Sequence, residues 1–169
     1  MTESGSPTRG QILNKHQLTD VIVSGANTTT ALADGVFCYI NGSTGVVVFP
    51  IATTRPDASR CRFLSVGVDN TLAGAAIADK EVETFKKNAR VVAVCDGSIN
   101  VNQAVRASRT TAGRCQALPD PATGDAASAI ANYLRERIGY YQGHNGENSE
   151  TGNEPSAAAN GDTVIIQMD

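Results

Sequence analysis

One stretch of the sequence, GHNGENSETGNE at 143–154, combines residue types that could do acid–base chemistry or bind a metal. His144, Glu147 and Glu150 could be imagined as ligands of a divalent cation, or as a general acid and base. The stretch lacks the calcium-loop pattern D-x-[DN]-x-[DN]-G, and its composition is that of a surface turn. We therefore interpret it as a solvated loop, and we interpret His16 as a surface residue as well.

Other short patterns that could indicate catalysis are incomplete. GSTG at 42–45 lacks the Gly-Lys-Ser/Thr ending and the following helix of a phosphate loop, and it predicts a hairpin turn instead. Neither Ser24 nor Ser98 lies in the G-x-S-x-G context of a hydrolase nucleophile. We therefore expect a binding or structural protein rather than an enzyme, with no catalytic, cofactor-binding or metal-binding residues.

The charge distribution does not favour a nucleic-acid partner. The net charge is −3, and residues 138–169 carry five acidic and no basic groups, which leaves fourteen basic against twelve acidic groups, a net of +2, in residues 1–137. Binding to phosphates needs a local excess of Lys and Arg. Such a cluster occurs in RPDASRCR at 55–62, but it has no interleaved aromatic residues and is interpreted as a solvated loop.

The cysteines indicate a reducing compartment. Their spacing contains no C-x-x-C motif, and the start MTESGSPTRGQ has no apolar segment typical of a secretion signal. We expect free and mostly buried thiols at Cys38, Cys61, Cys95 and Cys115. The longest apolar run, 46–52, is too short for a membrane helix, so no membrane partner is expected.

The elements that would position any site are mainly strands. Residues 1–18 are polar and are predicted to form a flexible N-terminal arm, followed by a single β-rich domain at 19–169. Short apolar or alternating runs separated by turn residues predict about eight strands, in VIVSG, GVFCYING, GVVVFPIA, FLSVGV, EVETF, ARVVAVCDG, QAVRAS and TVIIQMD. This pattern is typical of a small β-barrel or β-sandwich.

One α-helix interrupts the strands, as an insertion at about 125–138. Asp125 is predicted to cap the helix and Gly139 to end it. An apolar stripe is predicted to cover one face of a sheet; it consists of Ala127, Ile130, Leu134 and Ile138.

The last ten residues, NGDTVIIQMD, predict a tight turn and a strand whose apolar residues alternate. A weak internal repeat includes this strand. Asp34-Gly35, Thr53-Thr54, Cys61, Val66-Gly67 and ARVVAVCD recur in order as Asp96-Gly97, Thr110-Thr111, Cys115, Ile138-Gly139 and DTVIIQMD. The repeat predicts that the closing strand pairs with residues 89–96, in two similar half-barrels that share one core.

The order of segments along residues 34–169 resembles that of the capsid decoration, or cement, proteins of tailed bacteriophages. The segments are a turn at Gly35, short strands, SVGVDN, ARVVAVCDGSINVNQAVRAS, RIGYYQG and AANGDTVIIQMD. In that family a stretch like DGSINVNQAV supplies a turn and a strand. A step like Ile138-Gly139 then leads through an Ala- and Gly-bearing spacer like residues 156–161 to a closing aliphatic strand. The helical insertion and the acidic loop at 143–155 depart from this common core.

The resemblance implies a structural protein of the virion. It would be made in the host cytoplasm and would bind the outer surface of the expanded head, often as a trimer. There it would clamp neighbouring major capsid subunits. The arm would lie along the capsid and extend one of its sheets, with Arg9, Gln11, Ile12, Leu13 and Lys15 as the capsid-binding residues. Self-association as a dimer is the alternative to a trimer.

Two other functions stay open at this stage. A β-barrel that binds a glycan or another ligand, on a phage surface or tail structure, would use exposed aromatic residues, for which Tyr140-Tyr141 is the candidate pair. A small hydrolase or isomerase with a dispersed site would depend on His144.

Overall fold

The computed structural model describes residues 20–23, 35–41, 45–48, 57–65, 81–85, 88–144 and 156–169. These residues form a mainly β structure with one α-helix and one short 3-10 turn. All the strand pairings are antiparallel, as expected for short strands joined by turns.

Ten strands are present in the described residues, and each of the eight predicted runs overlaps one of them. The first five are β1 (Asp20–Val23), β2 (Val36–Asn41), β3 (Gly45–Val48), β4 (Cys61–Ser65) and β5 (Glu81–Phe85). The next five are β6 (Arg90–Val94), β7 (Ala104–Ala107), β8 (Cys115–Ala117), β9 (Gly139–His144) and β10 (Thr163–Met168). β8 and β9 were not predicted from the sequence. The helix, α1, spans Ala127–Glu136, and the 3-10 turn spans Ala58–Arg60.

The two halves of the chain have the same strand topology. The first sheet has the order β1-β5-β4-β2-β3, and the second has the order β6-β10-β9-β7-β8. Adding five to each strand number converts the first order into the second. The described chain is therefore a tandem of two five-stranded units, and the 3-10 turn and α1 occupy equivalent places, directly before β4 and β9.

The residue equivalences predicted for the repeat are not confirmed where the structure describes both members, and Thr53-Thr54 and Val66-Gly67 lie outside the described residues. Gly35 and Gly97 share a positive φ, of 69° and 85°, but Gly35 directly precedes β2 whereas Gly97 lies seven residues before the start of β7. Cys61 begins β4, whereas Cys115 begins β8, and the counterpart of β4 is β9. The predicted match arose because short strands bounded by similar turn residues look alike in any register.

The predicted pairing of the closing strand is confirmed. Residues of β10 pair with β6, from Thr163 opposite Val94 to Gln167 opposite Arg90. On its other side β10 pairs with β9, so it lies inside the sheet rather than at an edge. The turn before it is also confirmed, because the Asp162 backbone N–H donates to the Ala159 carbonyl (3.1 Å) and Gly161 has a φ of 90°.

Both sheets curl so that their edge strands approach each other. In the second sheet, an isolated parallel bridge joins Cys95, just after β6, to Cys115 at the start of β8, and the Asp96 backbone N–H donates to the Cys115 carbonyl (2.7 Å). In the first sheet, β1 contacts β3. The described strands do not close into a continuous barrel.

One buried cluster draws side chains from both sheets. Phe37 and Phe63 contribute from the first sheet, with ring centroids 5.1 Å apart in an edge-to-face arrangement. Val91, Val105 and Ile166 contribute from the second sheet and are fully buried. Burial of each such side chain stabilises the fold by roughly 1.5–3 kcal/mol. The two units are therefore joined by one core, as predicted from the repeat.

The predicted caps of α1 are wrong. The N-cap is Ala126, without a side-chain hydrogen bond, and the Asp125 carboxylate instead accepts from the backbone N–H of Ala122 (2.7 Å). This bond closes the turn that precedes the helix. At the other end the C-cap is Arg137, and Gly139 begins β9.

The predicted inward face of α1 is also wrong. Ile130 and Leu134 are 47% and 58% exposed, whereas Glu136 is 3% exposed. The face toward the protein is formed by Ala129, Asn132, Tyr133 and Glu136, all partly or fully buried. Polar anchors decide this orientation: the Tyr133 hydroxyl donates to Asp120 (2.8 Å), and the Glu136 carboxylate accepts from two arginines.

We predict that Gly139→Ala lowers the free energy of unfolding by about 1–3 kcal/mol, as overpacking does. A Cβ at this position would overlap the backbone carbonyl of Gln167 in β10. Denaturant unfolding measures the loss, and hydrogen exchange should show faster exchange across β9 and β10. Gly124→Ala is the control: nothing lies within 4 Å of a Cβ there, so its cost is the strain of a positive φ (92°) in an exposed turn, and it should leave hydrogen exchange in β9 and β10 unchanged. An unchanged midpoint for Gly139→Ala, with unchanged protection of β10, would contradict the close approach.

Candidate functional site

The residues predicted to bind the capsid lie outside the described residues. They are Arg9, Gln11, Ile12, Leu13 and Lys15, and the same holds for His16, Glu147 and Glu150. His144 is the last residue of β9 and lies opposite Val164 in β10. The sites that the structure does describe are two polar clusters, four thiols and the outer surface of α1.

The first polar cluster lies between the end of β6 and the loop that joins β7 to β8. Hydroxyl groups of Ser108 and Thr110 both donate to one oxygen of the Asp96 carboxylate, with an O···O distance of 2.5 Å for Thr110. The Ser108 hydroxyl oxygen in turn accepts from the backbone N–H groups of Thr110 and Thr111, each at 3.0 Å. The cluster therefore ties a tight loop to the neighbouring strand.

The cluster is built for structure rather than for nucleophilic attack. Burial alone would raise the pKa of the Asp96 carboxyl, but hydrogen bonds from Ser108, Thr110 and Thr111 outweigh it and lower the pKa below its ordinary value of 3.8. A carboxylate with a lowered pKa is a weak base, and Ser108 is only 2% exposed. The arrangement holds a negative charge in place and does not present an activated hydroxyl group.

The second polar cluster is a buried ion group under α1. The Glu136 carboxylate accepts from Arg106 (2.9 Å) and from Arg109 (2.5 Å), and its side chain is 4% exposed. The Nε atoms of both arginines are buried without a hydrogen-bond partner among the described residues. The group carries a net charge of +1, and it fixes the C-terminal end of α1 against β7. This group was not predicted from the sequence, because Glu136 lies about 30 residues from the two arginines along the chain.

In the described part of the basic segment, Ser59 and Arg60 are exposed, as expected of a solvated segment, but residues 58–60 form a 3-10 turn and β4 begins at Cys61. Asp57 accepts from the backbone N–H of Ser59 (3.0 Å) and so caps the 3-10 turn. The Arg60 guanidinium lies over the Tyr39 ring, 5.3 Å from its centroid, and Arg62 belongs to β4. These residues belong to β4 and to the 3-10 turn that leads into it.

An exposed ion pair links the two units at their equivalent positions. Arg135 of α1 lies 3.2 Å from the Asp57 carboxylate of the 3-10 turn. The pKa of Asp57 is lowered, first by the hydrogen bond from Ser59 and, to a smaller extent, by Arg135. The 3-10 turn and α1 are therefore in contact as well as in equivalent places.

The prediction of free, buried thiols is confirmed for all four cysteines. Burial raises the pKa of the Cys38 thiol to about 12 and raises the pKa values of Cys95 and Cys115 as well. The Cys95 thiol donates to the Ala159 carbonyl (2.7 Å). Since the thiolate is the reactive species, these groups are poor nucleophiles in the folded protein.

The tyrosine pair considered for sugar stacking is engaged within the protein. Tyr141 is fully buried, and its hydroxyl donates to the Ser156 carbonyl (2.7 Å). The Tyr140 ring has the Arg137 guanidinium 5.1 Å from its centroid, and Arg137 also contacts the Asp169 carboxylate (2.6 Å). The pair belongs to the core and to a surface cation–π contact.

No protein family, curated protein or solved structure matches this chain at a significant level. The described residues contain no group of three or more His, Cys, Asp or Glu side chains placed to hold a metal ion. Within the same part of the chain, no helix has the length and hydrophobicity needed to span a membrane.

We predict that Asp96→Asn destabilises the protein by about 1.5–3 kcal/mol at pH 7, the scale of hydrogen bonds to a charged group. A lowered pKa in the folded state means that the stabilisation is fully present above the unfolded value, near 3.8, and is lost as the pH falls through the folded value. The difference between the native protein and the variant should therefore shrink below about pH 4.

Denaturant unfolding at several pH values checks this. Asp120→Asn is the control, since Asp120 is exposed and an asparagine oxygen can still accept from the Tyr133 hydroxyl, so it should change stability little. A difference for Asp96→Asn that stays constant from pH 7 to pH 3 would contradict the role of the ionised carboxylate.

We predict that Glu136→Gln costs about 3 kcal/mol of unfolding free energy, because it leaves two partly buried guanidinium groups without their counter-charge. Arg135→Gln, at the adjacent position, breaks only the exposed pair with Asp57 and should cost less than about 1 kcal/mol. Thermal and denaturant unfolding of the two variants compare them directly. Equal losses would show that the buried ion group does not anchor α1.

Proposed function

We propose that this protein is a decoration protein of a tailed-bacteriophage capsid, which binds the outer surface of the expanded head and clamps neighbouring major capsid subunits. The observation that carries the proposal is the course of the chain between 89 and 169. The strand–turn–strand segment at 90–107, the step at 138–139 and the closing strand belong to one sheet, in which β10 lies between β6 and β9, and the spacer at 156–161 leads into β10. These are the segments on which the sequence resemblance depends.

In this proposal each five-stranded unit is a small, rolled, barrel-like sheet. The approach of the edge strands in both units supports that interpretation, since rolling protects strand edges from pairing with other chains. A protein displayed in many copies on a particle surface needs such protection. The shared core of the two units favours a rigid body that transmits load between the subunits it contacts.

The proposed mechanism is preferential binding to one state of the shell. Packed DNA pushes the shell outward, and a ligand that binds only the expanded lattice stabilises that lattice by mass action. Because many copies bind each shell, a modest binding free energy per site adds up to a large stabilisation of the whole shell. The partners are the major capsid protein and further copies of this chain, in a trimer or a dimer.

The arm at 1–18 is proposed to supply the capsid contact. Strand addition to a capsid sheet gives main-chain hydrogen bonds without a large preformed pocket. Ile12 and Leu13 would be the apolar anchors, Arg9 and Lys15 the charge contacts, and Gln11 a polar contact between them.

We predict that deletion of residues 1–18 abolishes retention on expanded heads and leaves the fold intact. Purified protein is sedimented with expanded and unexpanded heads of its own virus, and the bound copies are counted per capsid subunit. The full chain should saturate expanded heads only. Circular dichroism and thermal unfolding of the truncated chain verify that the domain still folds.

Point variants separate the anchors from the charges. Ile12→Ser with Leu13→Ser should reduce retention more than Arg9→Gln with Lys15→Gln, and only the charge variant should lose its dependence on salt. Thr2→Ser with Ser6→Thr is a matched control within the arm. Retention by the truncated chain equal to that of the full chain would overturn the role of the arm. No binding of the full chain to either head would overturn the decoration function itself.

A further inference from the structure

The outer face of α1 carries an apolar stripe that nothing in the described part of the chain covers. The stripe consists of Ala127, Ile130, Ala131 and Leu134, at the i, i+3, i+4, i+7 spacing of one helix face. All four residues are exposed, and Ile130 and Leu134 are the larger part of the apolar surface. We refer to these four residues as the outer stripe.

The outer stripe is held outward by contacts on the opposite face. Glu136 is fixed by Arg106 and Arg109, and Tyr133 is fixed by Asp120. Rotation of the helix to bury Ile130 and Leu134 would pull the Glu136 carboxylate away from both guanidinium groups. The helix therefore presents its apolar residues in a preorganised way, which reduces the entropy lost on binding.

The large and small residues of the outer stripe are ordered so that two copies of the stripe can pack against each other. When two copies of α1 lie antiparallel about a two-fold axis between positions 130 and 131, Leu134 of each copy faces Ala127 of the other. In the same register Ile130 faces Ala131. Large residues over small ones allow two helices to approach closely without voids, and a two-fold axis lets one patch satisfy both copies.

The charges at the two ends of α1 favour the same arrangement. Asp125 precedes the helix and is exposed, and the Arg135 side chain is 59% exposed in the last turn. Antiparallel pairing brings Arg135 of each copy toward Asp125 of the other. Parallel pairing, about a two-fold or a three-fold axis, would place like charges and like helix ends together.

We propose that the outer stripe of α1 is a self-association surface, on which a second copy of this chain docks its own α1 in antiparallel orientation. The helix has 10 residues, so it spans about 15 Å, and the buried area falls below that of a standard interface, roughly 1,200–2,000 Å². The association in solution is accordingly weak, with a dissociation constant on the order of 0.1–1 mM. The proposal does not depend on the capsid function.

Disulfide trapping tests the register. Ala131 lies next to the proposed axis, so Ala131→Cys should link to its own copy under mild oxidation with glutathione disulfide. Ala127→Cys and Leu134→Cys should each link slowly alone and rapidly when the two variants are mixed. Ser128→Cys, exposed but beside the stripe, is the control. The four native thiols are buried, and the rate at which the unmodified protein forms disulfides between copies gives the background.

We expect the Ala131→Cys variant to form the disulfide between copies at least about ten-fold faster than the Ser128→Cys variant. A ten-fold ratio of rates corresponds to about 1.4 kcal/mol of free energy. Equal rates for Ala131→Cys and Ser128→Cys would overturn the proposal. Rapid self-linking of both Ala127→Cys and Leu134→Cys would also overturn it, since that outcome requires parallel helices.

A charge exchange gives a second test that needs no new thiol. Asp125→Arg and Arg135→Asp should each reduce association of the purified full chain in sedimentation velocity at about 1 mM, the scale of the expected affinity. The double variant should restore it. The exchange restores neither the pair between Arg135 and Asp57 nor the hydrogen bond from Ala122 to Asp125, so recovery must come from the contact between copies. A folded double variant that stays as weakly associated as the single variants would overturn the antiparallel pairing.

Discussion

The second sheet depends on the backbone hydrogen bonds of β10. This strand lies between β6 and β9, which are not neighbours of each other, and its flanks are tied in further by bonds from Cys95 to Asp162 and from Asn88 to Met168. Without β10, two strands would lose their partners on one side, and each unpaired buried N–H or C=O is costly. Val164 and Ile166 also point into the shared core, so the same strand supplies pairing and packing. The close approach of Gly139 follows from this position.

The strands that could be predicted from the sequence are those whose side chains are apolar or alternate over several residues next to a clear turn. Alternation after Asn160-Gly161-Asp162 predicted β10 and its turn, and the apparent repeat predicted its partner. β8 was missed because three residues, Cys115–Ala117, are too few to show a period. β9 was missed because Gly residues and a register shift opposite Ile165 and Ile166 break its alternation. The two units share their strand order, which is determined by strand pairing, but they share few residue identities at equivalent positions.

The orientation of α1 could not be predicted from its own residues. Periodicity identifies Ile130 and Leu134 as one face, and the usual inference is that an apolar face packs inward. The outcome depends on Arg106 and Arg109, which neutralise a carboxylate about 30 residues away. An apolar face can be left at the surface when a charged residue on the opposite face has a better partner inside. The same reasoning applies to Asp125, which closes a turn through Ala122 rather than capping the helix.

Because the two units have the same strand order, comparing them shows which connection between strands can vary in length. The connection between the third and fourth strands is 12 residues long in the first unit, where residues 58–60 form a 3-10 turn, and 21 residues long in the second, with a ten-residue helix. The strand order is the same in both. This connection therefore accommodates extra chain without a change in pairing, since loop length costs little entropy. It is the natural place to graft a foreign peptide for display, with the second unit as the template for how such an insertion leaves and rejoins the sheet.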